Sequence, residues 1–198
     1  MKQLFIFLIL AASLNSIAVA QFKPGHYYKN DGTKVTGLIK LNYEGGILAD
    51  KSDGNCTISY KSDKKGDVTK LTTNDICCFV IEKDSFTVIK DIKLRVLVKF
   101  PQDFAKVLQA GKINLYTYYY LIMMPVGPYG GMSTRVVSNL IIEKDGNKDK
   151  LLKKEFKELM VKYISDYPEL LEKVNNKVLK FDESEQIIKD YNDFNRKK

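Results

Sequence analysis

Histidine is almost missing from this sequence, since His26 is the only one among 198 residues. A histidine-based catalytic triad would have to use it, and a zinc site with two histidine ligands is excluded. A cysteine–histidine nucleophile pair would need His26 beside Cys77 or Cys78, and no local signature accompanies these residues. We therefore predict no catalytic residue, no metal site and no cofactor.

Long apolar runs and blocks of one charge are also scarce. After residue 20 no run of about 18 apolar residues occurs, so no later transmembrane helix is expected. The 32 basic side chains exceed the 24 acidic ones modestly, for a net charge of +8, and the two signs are interleaved. A nucleic-acid binder more often shows a basic stripe with aromatic residues between the charges. Nucleic acid is therefore not an expected partner.

Cysteine is present in an odd number, as Cys56, Cys77 and Cys78. Neighbouring residues of a regular strand point to opposite faces, so only one of the adjacent pair could reach Cys56. A bond between Cys77 and Cys78 themselves would be strained. Two interpretations stay open: a disulfide of Cys56 with Cys77 or Cys78, or three small buried hydrophobic side chains.

The first twenty residues have the pattern of a secretory signal peptide. Lys2 precedes the apolar run Leu4–Ala12, and Ala18-Val19-Ala20 supplies small residues before a cut at Gln21. The apolar run is too short to span a bilayer. We predict a signal peptide at residues 1–20 and an exported protein that is periplasmic, outer-membrane-associated or extracellular; an uncleaved anchor is the alternative.

Residues 21–100 alternate between apolar and polar in short runs that are separated by turn residues, a pattern typical of antiparallel strands. The first hairpin is predicted around Asn30-Asp31-Gly32, because these residues tolerate the backbone angles of its turn. Six to eight such strands predict a sheet, a sandwich or a half-open barrel.

Beyond Pro101 the pattern changes twice. Residues 103–110 could form a short helical turn, and residues 101–146 are otherwise a central β-hairpin with a glycine-rich tip. From residue 147 to 198 apolar residues recur at helical spacing, which predicts three amphipathic helices packed on the sheet. The predicted fold is one α+β domain over residues 21–198: an N-terminal antiparallel β-sheet or partial barrel, the central hairpin and three C-terminal helices.

Several segments resemble a family of small uncharacterised secreted proteins of Bacteroidetes-type bacteria. The similar segments are Phe22–Tyr28, Asn30-Asp31-Gly32, Gly37-Leu38-Ile39, Val107–Tyr116 and Tyr191-Asn192. Thr33-Lys34 departs from the family, which more often has an acidic residue and threonine after the glycine. The resemblance covers most of the chain after residue 20, but its motifs are turns and core aromatics. It implies export and a mixed sheet–helix domain, and no defined activity.

A tyrosine-rich strand leads into the glycine-rich tip. Tyr116, Tyr118 and Tyr120 alternate and so share one face of the predicted strand. Tyrosine offers a large rigid contact area with a polar end. One interpretation is a central strand covered on both faces, in which Tyr118 and Tyr120 are buried. The alternative is a predicted binding surface made of Tyr118, Tyr120, Tyr129 and Met132.

A lysine-rich segment begins the helical region. Its lysines are Lys148, Lys150, Lys153, Lys154, Lys157 and Lys162. A basic amphipathic helix can lie on an anionic membrane, although Glu155 and Glu158 interrupt the positive face. Contact with a membrane surface through this helix is therefore kept as an alternative.

These observations predict an exported protein of the cell envelope that acts without catalysis as a binding or interaction module. Its partner, an envelope protein or a ligand, is not identified by any motif. The alternatives are an enzyme whose carboxylate or tyrosine site is assembled from distant strands, and a protein attached peripherally to the membrane.

Overall fold

The structure is a computed structural model that describes residues 21–43, 56–95, 98–127 and 130–197, without the side chains of residues 93–100. The predicted signal peptide, residues 1–20, lies outside the described residues, and so does Tyr129 of the predicted binding surface.

Ten strands of the described residues form one antiparallel sheet. They are β1 Lys23–Lys29, β2 Lys34–Tyr43, β3 Cys56–Lys61, β4 Thr69–Leu71, β5 Ile76–Ile81, β6 Asp84–Arg95, β7 Val98–Gln109, β8 Asn114–Val126, β9 Gly131–Lys144 and β10 Asn147–Leu151. Their order is β10-β9-β8-β7-β6-β5-β1-β2-β3-β4. The α+β class with an antiparallel sheet is therefore confirmed, and the described strands form an open sheet with β10 and β4 at its edges.

The turn between β1 and β2 lies at the predicted position. Gly32 has a φ of +86°, and the Asp31 carboxylate accepts a hydrogen bond of 2.8 Å from the backbone N–H of Thr33. The turn chemistry that is visible in the sequence thus sets the register of the first hairpin, in which Tyr28 is paired with Lys34.

The helical turn predicted within residues 103–110 is wrong, because residues 103–109 belong to β7, which ends at Gln109. The strand pairs with β6 from Lys106 back to Val98, and this ladder outweighs a weak local preference for helix. The ladder pairs Lys90 with Gln102 and Ile92 with Phe100 but skips the two residues between them, Pro101 and Asp91, and Asp91 has a φ of +55°. Proline has no N–H to donate to a ladder, and the ladder is distorted where it stands.

Residues 147–151, which the sequence placed in the helical region, form strand β10 instead. Asp145 and Gly146 have φ values of 51° and 79°, so both central residues of the turn are in the left-handed region. This is the geometry of a two-residue hairpin loop, for which Asp-Gly is a preferred sequence. The Asp-Gly pair therefore continues the sheet by one more strand rather than ending it.

Three helices follow β10. After a 3-10 turn at Lys153–Glu155 come α1 Phe156–Ile164 and α2 Pro168–Asn175; a second 3-10 turn, Phe181–Glu183, precedes α3 Ser184–Arg196. Their apolar sides form one core with the start of β8 and with β9, where Ile113, Leu115 and Ile142 are buried. None of the described helices is long and apolar enough to cross a membrane.

A buried amide fixes the last helix to the sheet. The side chain of Asn192 in α3 accepts from the Ile113 N–H at 2.9 Å and donates to the Ile113 carbonyl at 2.8 Å. A Cβ on Gly111 would lie 2.6 Å from the Asn192 side chain, so glycine is required for this approach. Two side-chain hydrogen bonds thus join segments that are 79 residues apart in sequence.

Candidate functional site

The tyrosines of β8 are divided between core and surface. Tyr118 is 0% exposed and its ring stacks on that of Tyr120, with centroids 6.0 Å apart; Tyr120 is half-buried. Tyr116 is buried too, and its hydroxyl donates to Glu143 at 2.9 Å. Met132 is 59% exposed. The predicted surface is therefore not assembled as a unit, since Tyr118 belongs to the core and only Met132 is freely accessible among its described members.

A buried carboxylate lies behind Tyr118. Asp103 of β7 is 0% exposed. Its Oδ2 accepts from the Tyr118 hydroxyl at 2.7 Å, and its Oδ1 accepts from the backbone N–H groups of Cys56 at 3.1 Å and Phe104 at 2.8 Å. A buried carboxylate needs such donors to offset its desolvation. Asp103 thereby ties β3 to β7 and β8, although β3 and β7 are not neighbours in the sheet.

The groups around Asp103 are held in their neutral forms. Burial raises the pKa of the Cys56 thiol well above its ordinary value, and the charge and hydrogen bond of Asp103 raise it further. Burial raises the pKa of Tyr43 as well, and the neighbouring Cys56 adds to this. A thiol that is buried and neutral is not a nucleophile, and Cys56 is only 2% exposed. This cluster, which sequence reasoning missed by assigning Asp103 to a helix, therefore has a structural role.

The most exposed apolar surface is the outer part of the β8–β9 hairpin. We define the arm as residues 119–126 of β8 and 131–138 of β9, which pair with each other from Tyr119–Ser138 to Val126–Gly131. Of the eight large hydrophobic side chains that are exposed among the described residues, the arm carries five: Met123, Met124, Val126, Met132 and Val136. Its one charged residue is Arg135.

Both faces of the arm are apolar. Directly opposed residues of an antiparallel pair share a face. Met123 is opposite Thr134 and Pro125 is opposite Met132 on one face, whereas Met124 lies on the other. A strand with two apolar faces normally lies in the middle of a covered sheet. The arm has the side chains of such a strand, yet its three methionines, Val126 and Val136 are exposed to solvent.

Within the described residues, the edges of the arm have no ladder partner. Pairing of β7 with β8 ends at Thr117, and pairing of β10 with β9 ends at Leu140. The Tyr119 carbonyl is contacted by the Cys56 thiol at 4.0 Å. Beyond Tyr119, the outward backbone N–H and C=O groups of the arm have no ladder partner among the described residues, which is the property of an edge that can accept another strand. The sequence contained a signal for this surface, because residues 113–134 carry no charged side chain.

The three cysteines occupy two environments. Cys56 is 2% exposed beside Asp103, whereas Cys77 is exposed and Cys78 is half-buried on β5. All three are free thiols in this structure, and the closest pair is Cys77–Cys78 with their sulfur atoms 3.5 Å apart. The interpretation as three buried hydrophobic side chains fits only Cys56, and a bond from Cys56 to either of the others stays a prediction.

His26 lies on β1 and its ring packs edge-to-face against Tyr28. Burial lowers the pKa of His26, and the nearby Lys34 lowers it further. Among the described residues no group of three or more histidine, cysteine or acidic side chains is arranged to hold a metal ion. The geometry therefore gives His26 the role of a strand residue packed on a neighbouring ring.

Lysines of the predicted membrane-binding segment are engaged in ion pairs. Lys148 donates to the Lys90 carbonyl at 2.8 Å and lies 3.6 Å from Glu143, while Lys162 is bonded to Asp149. Although burial acts to raise the pKa of Asp149, hydrogen bonds from Lys162 and Tyr163 hold it below the ordinary value. These contacts join α1 to β10 and leave less positive charge for an anionic surface.

A second carboxylate connects the helices. Asp166, after α1, accepts from the Tyr191 hydroxyl at 2.7 Å and from Lys144 at 3.2 Å. Burial acts to raise the pKa of Asp166, but these two hydrogen bonds outweigh it and the pKa lies below its ordinary value. Asp166 thus joins the end of α1 to α3 and β9.

A shallow depression of about 440 Å³ lies between β6 and the β9–β10 hairpin. Its lining includes Asp91, Asp149 and Lys150. A carboxyl that acts as a general acid near neutral pH needs a raised pKa, whereas the pKa of Asp149 is lowered. Asp149 therefore gives no support to an acid–base mechanism in this depression.

No protein-family model, curated protein or solved structure matches this chain.

Proposed function

We propose that this protein is an exported, non-catalytic binding module that holds an extended segment of a partner polypeptide along the arm. The single observation that carries the proposal is the arm itself, with its exposed Met123, Met124 and Met132, its two apolar faces and its edges without ladder partners among the described residues. Export is supported by the signal-peptide pattern of residues 1–20 and by the resemblance to small secreted proteins.

A strand from another protein fits both properties of the arm. Strand addition satisfies the outward N–H and C=O groups, and pockets between alternate side chains hold the side chains of the guest. Methionine is flexible and polarisable, so a methionine-rich surface adapts to different guests. An apolar patch of this kind on a soluble domain is typical of an interaction site.

A lipid bilayer fits the arm less well. In hydrocarbon every backbone polar group must be satisfied within the protein, and an isolated two-stranded hairpin leaves two rows of them unpaired. Arg135, opposite Ile122, would also have to enter the hydrocarbon or hold the arm at the surface. The partner that we propose is therefore a polypeptide.

The test replaces one exposed side chain on each face of the arm, in the double variant Met124→Lys and Met132→Lys. The matched control is Val161→Lys and Val178→Lys, which adds the same charge at exposed apolar positions of the helical region. The wild type, the arm variant and the control variant are each used as bait in envelope extracts, and the captured proteins are quantified by mass spectrometry. We expect the arm variant to lose at least about tenfold of a captured partner, a difference of about 1.4 kcal/mol, and the control to keep it.

Hydrogen exchange then locates the contact. Arm amides whose N–H groups point outward from the β8–β9 ladder should become protected in the captured complex, whereas in the protein alone these outward amides should exchange freely. Equal capture by the arm variant and the control would contradict the proposal. If the protein floats with protein-free anionic vesicles and the arm variant does not, the partner of the arm is a lipid surface and not a polypeptide. If sedimentation shows a dimer that the arm variant does not form, the partner is a second copy of this chain.

A further inference from the structure

Strand β5 contains a β-bulge at its cysteines. Ile76 and Phe79 are both 0% exposed in the same core cluster, although residues three apart on a regular strand point to opposite faces. The register explains this: Tyr28 of β1 is opposite Cys78 and Lys29 is opposite Ile76, so Cys77 has no residue opposite to it. The extra residue lets both Ile76 and Phe79 face the core.

The same bulge turns two adjacent thiols to one side. Cys77 and Cys78 both lie on the outer side, and their sulfur atoms are 3.5 Å apart. This differs from the expectation for neighbours on a regular strand, which point away from each other. Bulges commonly re-aim side chains at functional positions.

The surroundings of the pair leave it open to a reagent. Cys77 is exposed and lines a depression of about 460 Å³ together with Asn30, Asn74 and Gln102. Its thiol is 3.5 Å from the carbonyl oxygen of Tyr28. A small thiol reagent can therefore reach Cys77 directly and meets Cys78 second.

We propose that Cys77 and Cys78 form a redox-active vicinal pair, which is oxidised to a Cys77–Cys78 disulfide by exchange with a small-molecule disulfide. The Cys77 thiolate attacks one sulfur of the oxidant, forms a mixed disulfide and releases one thiolate. The Cys78 thiolate then attacks the Cys77 sulfur and expels the second. Two protons pass from the two cysteines to the two released thiolates, so the oxidant is reduced to two thiols as the pair is oxidised.

Two properties of the pair shape its behaviour. Burial raises the pKa of Cys78 to about 11, and the neighbouring Cys77 contributes, so the second step uses a small thiolate fraction and depends on the short sulfur–sulfur distance. A disulfide between adjacent residues is strained, and Cys77 is exposed; strained or exposed disulfides are reduced more easily than buried, relaxed ones. The pair also accounts for an odd number of cysteines, because Cys56 is left buried and inert.

The test treats the full-length folded protein with oxidised glutathione and maps it by trypsin. Cleavage after Lys70 and Lys83 gives a peptide that contains Cys77 and Cys78 but not Cys56. We expect this peptide to become lighter by two hydrogen atoms and to regain them with an excess of reduced glutathione. The Cys56→Ala variant should behave identically, whereas Cys78→Ser should stop at a peptide heavier by one glutathione.

Three results would overturn the inference. In the first, the wild-type peptide keeps both thiols free although the Cys78→Ser peptide forms the glutathione adduct. In the second, this peptide is cross-linked to the peptide that carries Cys56, and in the third, the wild-type peptide forms a glutathione adduct that is never released. None of these outcomes depends on the arm, so the inference and the proposed function stand or fall separately.

Discussion

Replacing Tyr118 with phenylalanine removes the hydroxyl that donates to Asp103 at 2.7 Å and leaves the ring in place. Asp103 keeps the N–H donors of Cys56 and Phe104, so the change removes one hydrogen bond without stripping the carboxylate. A hydrogen bond to a charged group contributes about 1.5–3 kcal/mol to stability. Because the side chains of Tyr118 and Asp103 are both 0% exposed, solvent does not replace the lost donor. We therefore expect Tyr118→Phe to lower the free energy of unfolding by about 1.5–3 kcal/mol.

Urea unfolding measures this cost. For a slope of about 2 kcal/mol per molar urea, the midpoint should fall by about 1 M at unchanged slope. Tyr120→Phe is the matched control, because it removes a hydroxyl from the half-buried ring that stacks on Tyr118, and its midpoint should stay within about 0.3 M, which corresponds to the roughly 0.5 kcal/mol of an ordinary surface change.

A double-mutant cycle with Asp103→Asn separates the pair from its surroundings. The coupling energy of Tyr118 and Asp103 should lie between about 0.5 and 3 kcal/mol, as for residues in direct contact. A Tyr118→Phe cost below about 0.5 kcal/mol, or a coupling energy of zero, would refute the conclusion that the buried carboxylate ties these strands together.

Three further predictions concern the same fold. Asn192→Ala should cost about 2–6 kcal/mol in urea unfolding, because it leaves two buried backbone groups of Ile113 unpaired at about 1–3 kcal/mol each, and a cost under about 1 kcal/mol would contradict that anchor. Asp149 and Asp166 have folded-state pKa values below their unfolded ones. The stability that they contribute is therefore present above the unfolded pKa of about 4 and is lost as the pH falls through the folded-state values. A urea midpoint that does not change from about pH 6 to about pH 3 would exclude this contribution. A maleimide should label Cys56 only after unfolding, and labelling of the native protein at this position would contradict its burial.

The strand pattern and turn residues predicted more of the fold than the helical signals did. Asn30-Asp31-Gly32 acts locally, since the angles it requires are those of its own turn, and its hairpin was predicted correctly. Asp145-Gly146 also favours a tight turn and forms the β9–β10 hairpin. However, apolar residues at helical spacing follow it closely, and they obscured the short strand β10 that lies between this turn and α1. Residues 103–110 have no such turn, and their conformation depends on a partner strand that the local sequence does not identify.

For the candidate sites too, local sequence indicated some features, while others depended on contacts with distant strands. Exposure of Met132 agrees with the predicted surface, yet burial of Tyr118 depends on Asp103, which lies on a different strand. The spacing of Ile76 and Phe79 was the available signal for the bulge, because two large core residues three apart cannot share a face of a regular strand.

By itself the sequence determined the alternation of apolar and polar residues in the strands, the tight turns and the uncharged segment at residues 113–134. These properties depend only on neighbours along the chain. The tertiary structure alone decided which tyrosine is buried, that Asp103 receives donors from β3 and β8, and that two adjacent cysteines face the same side. Each of these depends on the register between strands that are distant in sequence, and a shift of one residue would send every side chain of a strand to the opposite face.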